Sequence, residues 1–353
     1  MRVSVVIPNY NKEKTIRACL TAVYAQTHEP AEVVVVDDAS TDRSREIVGE
    51  FDCVLVAFPT NRGVSAARNA GAARAGGELL FFVDSDIALA PDALANAVRI
   101  LRAHPECGVV QGIYDLRPLF EDGPVESYKT LFEHFWRRGA DGVSSSTMFA
   151  LTAVPRRVFE LVGGFDEGLR DAEDVEFGTR LPAAYEIRTS ALVVGRHDDV
   201  DRLWPYLSEL FRRALTYADA VVLARWAARP GTDGSASPAA RPDGTRAPHR
   251  VDLGAVAGLT SSAGLVATLP LALLSPWLLA LPLTLLTVWL TADRALLGFA
   301  RRERGPGFLV FAAVMRFLTH LTEFVGLTVG VLRALARRSG PGRVRPVALE
   351  SRR

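Results

Sequence analysis

Three acidic sites carry the clearest chemical signal in the chain: Asp37–Asp38, Asp84–Ser85–Asp86 and Glu173–Asp174. In an extended segment alternate side chains point the same way, so Asp84 and Asp86 can face one ligand together across the small Ser85. Two carboxylates that close repel unless something positive sits between them. Mg²⁺ or Mn²⁺ carrying a diphosphate meets that need, because these ions take oxygen ligands and share them with phosphates. For an isolated triplet, a solvated acidic turn ahead of the helix after Pro91 is the bland alternative.

The elements that position these sites follow from hydrophobic periodicity. Short β-branched or apolar runs at 3–7, 32–36, 53–57 and 78–83 read as buried strands. Helices are expected between them. Asn11 is placed to cap a first helix carrying Ile16, Leu20 and Val23, and Asp42 to cap a second. Small residues over 63–75 predict a helix that packs closely on the sheet, and Pro91 opens a fourth. Strands alternating with helices predict an α/β fold with a mostly parallel sheet. Ligands of such sheets bind beyond the carboxyl ends of the strands. Asp37–Asp38 and Asp84–Asp86 fall there. Further on, helices are expected over 124–138 and 155–162, with a strand from Ser144 to Leu151 between them. Gly163, Gly164 and Gly168 mark a loop, an acidic helix starts at Glu173, and a last strand runs from Ile187 to Val194.

The 353 residues hold 41 basic and 40 acidic side chains, a net charge of +1 that gives no electrostatic case for nucleic-acid binding. Cys19, Cys53 and Cys107 form no CxxC pair, so reduced thiols are expected rather than a disulfide framework or zinc site. The start MRVSVVIPNYN reads as a strand rather than a secretory leader, which keeps the catalytic part in the cytoplasm. Residues 202–228 read as a long amphipathic helix, and 229–250, rich in Pro, Gly, Ser and Ala, as a flexible linker. From 251 to about 298 charge is almost absent, enough for two membrane helices turning at Ser275–Pro276, or for one long tilted helix. Arg301, Arg302 and Arg304 suit a cytoplasmic side. A third apolar stretch over 307–335 carries Arg316, His320 and Glu323 on one face, which favours an interfacial or bundle-packed helix. Residues 336–353 form a basic tail. The expected organisation is a catalytic domain over 1–228, the linker, membrane or interfacial helices over 251–335, and the tail.

Five segments in order, VSVVIPNYN at 3–11, VVVVDDASTD at 33–42, NRGVSAARN at 61–69, FFVDSD at 81–86 and GGFDEGLRDAEDVEFGTRL at 163–181, together resemble the glycosyltransferase family 2 catalytic domain. The resemblance covers residues 3 to 200. It implies the GT-A fold, a Rossmann-like sheet with flanking helices, here followed by a C-terminal α-helical transmembrane region. It implies a nucleotide-sugar donor of UDP type, since the Asp38 carboxylate would accept a uracil-type ring N–H. Pro8 and Tyr10 would border the nucleotide base. Arg68 would approach the base or diphosphate, with a surface salt bridge as its plainer role; for Asp38 the plainer role is helix capping. Asp84 would contact ribose or sugar, and Asp86 the metal, Mn²⁺ or Mg²⁺. Asp174 matches the general base that takes a proton from the acceptor hydroxyl in an inverting displacement, with Glu173 as the alternative base or an acceptor contact. His197, in GRHDD, matches a place where some GT-A enzymes put a metal-coordinating histidine, although a polar loop histidine fits equally.

The QxxRW motif of processive synthases is missing: Val222 stands three residues before Arg225–Trp226. The expected reaction is therefore a single sugar addition to a lipid-linked or cell-envelope glycan acceptor, at a bacterial inner membrane given the Ala- and Arg-rich composition. Transfer to a polyprenyl phosphate and a non-catalytic membrane scaffold are the alternatives. A dinucleotide-dependent oxidoreductase would need GxGxxG where PNYNKE stands.

Overall fold

The computed structural model describes residues 1–169, 172–227 and 253–339. The expected linker over 229–250, and the tail beyond residue 339, lie outside the described residues. The chain divides into two compact units between Arg202 and Leu203.

In the first unit the order is β1 (Val3–Asn9), α1 (Ile16–Tyr24), β2 (Glu32–Asp37), α2 (Ser44–Val48), β3 (Val54–Ala57), α3 (Val64–Arg74), β4 (Leu79–Val83), β5 (Ile87–Leu89) and α4 (Ala93–Ala103). There follow β6 (Cys107–Tyr114), α5 (Pro124–Gly139), β7 (Gly142–Ser144), β8 (Leu151–Pro155), α6 (Arg156–Val162), α7 (Glu173–Arg180) and β9 (Glu186–His197). The nine strands described form one sheet in the order β3-β2-β1-β4-β8-β6-β9-β5, with β7 also on β9. The first four in that order run parallel, and β1, β2 and β4 are buried on both faces. This explains their continuous apolar runs. β8 runs antiparallel to both β4 and β6, so β6 regains the direction of β4, and β9 keeps it. The carboxyl ends of β1, β2, β4 and β9 consequently share one edge of the sheet.

α1, α2 and α4 cover one face, through Ile16, Leu20, Val23, Leu94 and Val98. On the other, α3 lies so close that a Cβ on Gly71 would come 2.4 Å from Val6 Cγ1. The small-residue helix expected there needs its glycine for this approach.

Three local expectations are corrected. Asn11 does not cap α1, which begins at Ile16; its backbone is left-handed (φ 52°) and its Oδ1 accepts from the Thr41 amide at 2.8 Å. The strand expected over 144–151 splits into β7 and β8. Between them the chain is held by side chains: Met148 N donates to Gln111 Oε1 at 2.9 Å, and the Thr147 hydroxyl donates to the Asp174 carbonyl. The last strand runs on to His197, which is therefore a strand residue and not a loop residue.

The second unit starts at α8 (Leu203–Ala227), so the amphipathic helix groups with the C-terminal helices. α9 (Leu253–Thr268) runs into a short 3-10 turn, and after Ser275 the chain returns through a second 3-10 turn into α10 (Ala280–Ala292). This is the hairpin expected around Ser275–Pro276. α11 (Arg294–Ser339) bends at Gly305 (φ 85°) and Pro306. Two stretches, Leu253–Leu273 and Arg294–Ala336, are long and apolar enough to cross a membrane.

Two polar contacts inside this unit join α10 and its C-terminal end to α11. Arg316 Nε donates to Asp293 Oδ1 at 2.8 Å, and Trp289 Nε1 donates to His320 Nδ1 at 3.1 Å. α11 also presents Gly326 and Gly330 to α8, where added Cβ atoms would come 2.8 Å from Ala214 Cβ and 2.7 Å from Ala218 Cβ. Small residues spaced by four let two helix backbones approach in this way, a signal present in the GLTVG sequence but not read from it.

Candidate active site

Each acidic site sits at the shared sheet edge for a local reason. β2 ends at Asp37, whose carboxylate is wholly buried and structural: Asn9 Nδ2 donates to it at 2.9 Å, the Ser40 amide at 3.0 Å, and Arg45 pairs with it at 3.1 Å. Asp38 follows, with its two oxygens accepting the amides of Arg62 (2.6 Å) and Gly63 (2.8 Å) just ahead of α3. These two bonds anchor the turn ahead of α3 and reach no amide of its first turn, so Asp38 ties down that turn rather than capping the helix. Pro8 lies within buried β1, and Tyr10, just beyond it, is exposed.

Arg68 joins two of the three acidic sites. It is buried on α3 at 4% exposure, which removes the surface salt bridge considered for it. Its Nη2 donates to Asp84 Oδ1 at 2.9 Å and to the Phe149 carbonyl at 2.6 Å, and its Nη1 to Glu173 Oε1 at 2.8 Å. The planar fork lets one cation hold two carboxylates from distant parts of the chain. The rings of Phe149 and Phe165 flank the guanidinium. Asn69, one residue on, docks the glycine loop by exchanging hydrogen bonds with Phe165: Nδ2 to its carbonyl at 2.9 Å, and its amide to Oδ1 at 2.8 Å. Gly164 (φ 73°) is required there, since a Cβ would come 2.8 Å from Asn69 Oδ1. That contact seats the loop leading into α7, with Glu173 and Asp174 in its first turn.

Burial pushes the Asp84 carboxyl up; Arg68 opposes the rise and neighbouring Asp86 adds to it. Asp174 is also raised, first by burial and then by the Glu173 charge, against a hydrogen bond from the Val175 amide at 2.7 Å. A carboxylate held above its ordinary range makes a stronger base than an exposed one.

Asp86 has a different setting. Lys12 Nζ reaches its Oδ2 at 2.7 Å, and His197 Nε2 lies 3.5 Å from Oδ1, longer than a hydrogen bond. Burial alone would raise Asp86, but His197 and Lys12 hold it well below the carboxylate range. His197 stacks on Tyr114 (centroids 4.6 Å apart), and its Nδ1 lies 3.3 Å from Asp199 Oδ2. Asp199 in turn pairs with Lys129 at 2.5 Å. Burial disfavours the imidazolium, yet Tyr114, Asp199 and Asp86 outweigh it and raise His197 well above its usual value.

Asp86 and His197 are the residues here that would hold a divalent cation. Asp86 Oδ1 is buried with no hydrogen bond among the described residues, and His197 faces it with a second carboxylate behind its far nitrogen. A ligating histidine oriented by a carboxylate is a recurrent metal-site arrangement. Lys12, Tyr114 and Asp199 were not singled out in the sequence. The Asp following His197–Asp198 was the one readable signal, because a second acidic residue beside a histidine is its natural orienting partner.

The structure thus brings Arg68, Asp84 and Glu173 into direct contact, with Asp174 adjoining Glu173, and brings Asp86 together with His197. Asp38, Pro8 and Tyr10 stand at neighbouring strand ends without a side-chain hydrogen bond to that cluster among the described residues.

The family Glycosyl transferase family 2 matches residues 4–147. An uncharacterised glycosyltransferase of Nostoc sp. is 36% identical over 115 residues, covering 31% of this chain and 36% of its own. The UDP-Glc:α-D-GlcNAc-diphosphoundecaprenol β-1,3-glucosyltransferase WfgD of Escherichia coli is 39% identical over 87 residues, covering 24% and 34%. The chain therefore spans about a third of the length of these two relatives. Among solved structures, a mannosyltransferase from Pyrobaculum calidifontis in complex with GDP-Man and Mn²⁺ is similar over 94% of this chain and 87% of its own, at a TM-score of 0.54 and 24% identity. That likeness concerns the fold, a mixed sheet with flanking helices of GT-A type. Residues 4–147 thus match glycosyl transferase family 2, and the fold around them is of GT-A type.

Proposed function

We propose that the protein transfers a sugar from a nucleotide-sugar donor to the hydroxyl of a lipid-linked or cell-envelope glycan, with inversion at the anomeric carbon. The observation that carries this reading is the Arg68 clamp, which fixes Asp84 of the DSD triplet against Glu173 beside Asp174. Donor-binding and acceptor-activating groups are thereby held in one place, as an in-line displacement needs. Asp174 takes the acceptor proton, and its raised affinity for protons suits that task. Glu173 is committed to Arg68 and acts as its partner rather than as a free base. Asp84 faces the sugar or ribose, while Pro8, Tyr10 and Asp38 border the base, with Asp38 favouring a uracil-type ring. Asp86 and His197 would hold Mn²⁺ or Mg²⁺, which when bound supplies positive charge for the departing nucleoside diphosphate.

A lipid-linked acceptor is supported by the two apolar C-terminal stretches and by the diphosphoundecaprenol acceptor named for the E. coli relative. With the arginines at 301–304 facing inward, the catalytic unit lies on the cytoplasmic side of the membrane.

The test is nucleoside-diphosphate release by the purified protein in detergent, across a panel of nucleotide sugars with Mn²⁺ or Mg²⁺ and membrane lipid extract as acceptor source. Turnover of one donor that needs the cation and disappears in Asp86→Ala and Asp174→Asn supports the reading. Silence across the panel from verifiably folded protein rejects it. Product analysis separates a glycosidic product from a sugar phosphodiester, the outcome for a polyprenyl-phosphate acceptor.

A further inference from the structure

Lys12 has no part in the reaction as described, yet it is placed with care. The turn after β1 is laced to the turn after β2 through successive hydrogen bonds. The Asn11 amide donates to Ser40 Oγ at 2.9 Å, the Thr41 amide to Asn11 Oδ1 at 2.8 Å, and the Lys12 amide to Ser44 Oγ at 2.8 Å. The Glu13 amide donates to Asp42 Oδ2 at 2.9 Å. Asn11 and Ala39 both take left-handed backbone, with φ of 52° and 64°, a conformation that costs energy outside glycine. This lacing presents the Lys12 side chain to Asp86, where Nζ sits 2.7 Å from Oδ2.

Lys12 therefore neutralises the carboxylate that a divalent cation would need. His197 stands on the other oxygen at 3.5 Å. A cation entering alone meets an ammonium group already paired to its ligand, and like charges at that range repel. A diphosphate arriving with the cation brings negative charge that offsets both. We propose that Lys12 is a resident counter-cation that makes cation binding at Asp86 depend on the donor's diphosphate. This rests on the cation reading given above. The consequence is a coupling between two ligands, reciprocal by thermodynamic necessity: the diphosphate tightens the cation as much as the cation tightens the diphosphate. Lys12 acts through Asp86 and is a positioning residue.

The experiment measures Mn²⁺ affinity, by the electron-spin signal of free Mn²⁺, with and without saturating UDP, GDP or dTDP. The full chain in detergent is used, as wild type, Lys12→Met, Lys12→Arg and Asp86→Asn. In the wild type the effective nucleotide is expected to tighten Mn²⁺ markedly. Lys12→Met is expected to bind Mn²⁺ alone about tenfold more tightly, with the nucleotide effect reduced by a similar factor, inside the ordinary range of ligand couplings. Lys12→Arg keeps the charge and is expected to keep the coupling, which separates charge from a general loosening of the loop. Unchanged Mn²⁺ affinity in Lys12→Met, alongside loss of binding in Asp86→Asn, overturns the role of Lys12 and leaves the cation site standing. Absence of Mn²⁺ binding in the wild type with every nucleotide overturns the cation site itself, and the role of Lys12 with it.

Discussion

Arg68 donates to Asp84 across 2.9 Å, and both belong to segments that any reader of the sequence would treat as separate motifs. The same guanidinium holds Glu173. Replacing Arg68 by Met leaves two carboxylates near each other without their cation. Removing one partner of a buried pair costs about 3–5 kcal/mol. A large fall in denaturation midpoint, together with loss of turnover, is expected. Arg68→Lys keeps the charge but cannot fork to both partners, so it is expected to recover stability in part and activity poorly.

Asp174 offers a pH test whose sign is fixed by its environment. Its folded pKa is raised, by burial first and by Glu173 second. The unfolded chain therefore gives up this proton at lower pH than the folded chain. Stability contributed by the protonated form falls as pH rises from the ordinary Asp value through the folded value, and the deficit persists at neutral pH. Asp174→Asn is expected to melt at the same or a higher temperature than wild type at pH 7 while losing turnover. Across a pH series, the acid limb of wild-type kcat/KM is expected above the ordinary carboxylate range. A variant that both melts early and loses activity would point to a structural role instead.

Gly71 tests the close approach of α3 to the sheet. Its missing Cβ would lie 2.4 Å from Val6 Cγ1 and 3.2 Å from Val36 Cγ2. Gly71→Ala gains helix propensity but overpacks the core, at a cost of about 1–3 kcal/mol. Chemical denaturation should show the loss. Gly76→Ala, where the nearest atom is Glu32 Oε1 at 3.5 Å, serves as the tolerant control.

In the second unit, Gly326→Leu or Gly330→Leu is expected to separate α11 from α8, since the Cβ alone comes within 2.8 Å of Ala214 Cβ or 2.7 Å of Ala218 Cβ. Thermal melting in detergent should fall in both. Gly298→Ala, where nothing lies within 4 Å, should melt like the wild type.

The chain reveals its acidic sites readily because each follows an apolar strand or opens a helix, and strand ends are where ligands collect. It hides what joins them. Arg68 looks like a surface arginine in a small-residue helix; only the packing of Phe149 and Phe165 around it makes it a clamp. β6 was not anticipated because Cys107–Tyr114 reads CGVVQGIY, and Gly108, Gln111 and Gly112 break the apolar run. The glycine at 112 answers a tertiary demand: a Cβ there would come 2.3 Å from the Val193 carbonyl on β9. Lys12 reaches Asp86 through a left-handed Asn11 that no periodicity announces. The hairpin around Ser275 was legible because apolar length and a Ser-Pro break are local properties.

The place of β8 bears on how this protein comes off the ribosome. The family match ends at residue 147, yet β8 begins at Leu151 and lies between β4 and β6 in the middle of the sheet. A chain ending at residue 147 leaves one edge of β4 and both edges of β6 without a partner, a surface prone to pairing with a neighbouring chain. Glu173 and His197 are still to come. The sheet closes, and its reactive edge becomes whole, only once β9 has been made, a few residues before α8 begins. A fragment trimmed to the family-matched segment would therefore be sticky and inert, whereas one ending after Asp199 would carry every side chain of the cluster.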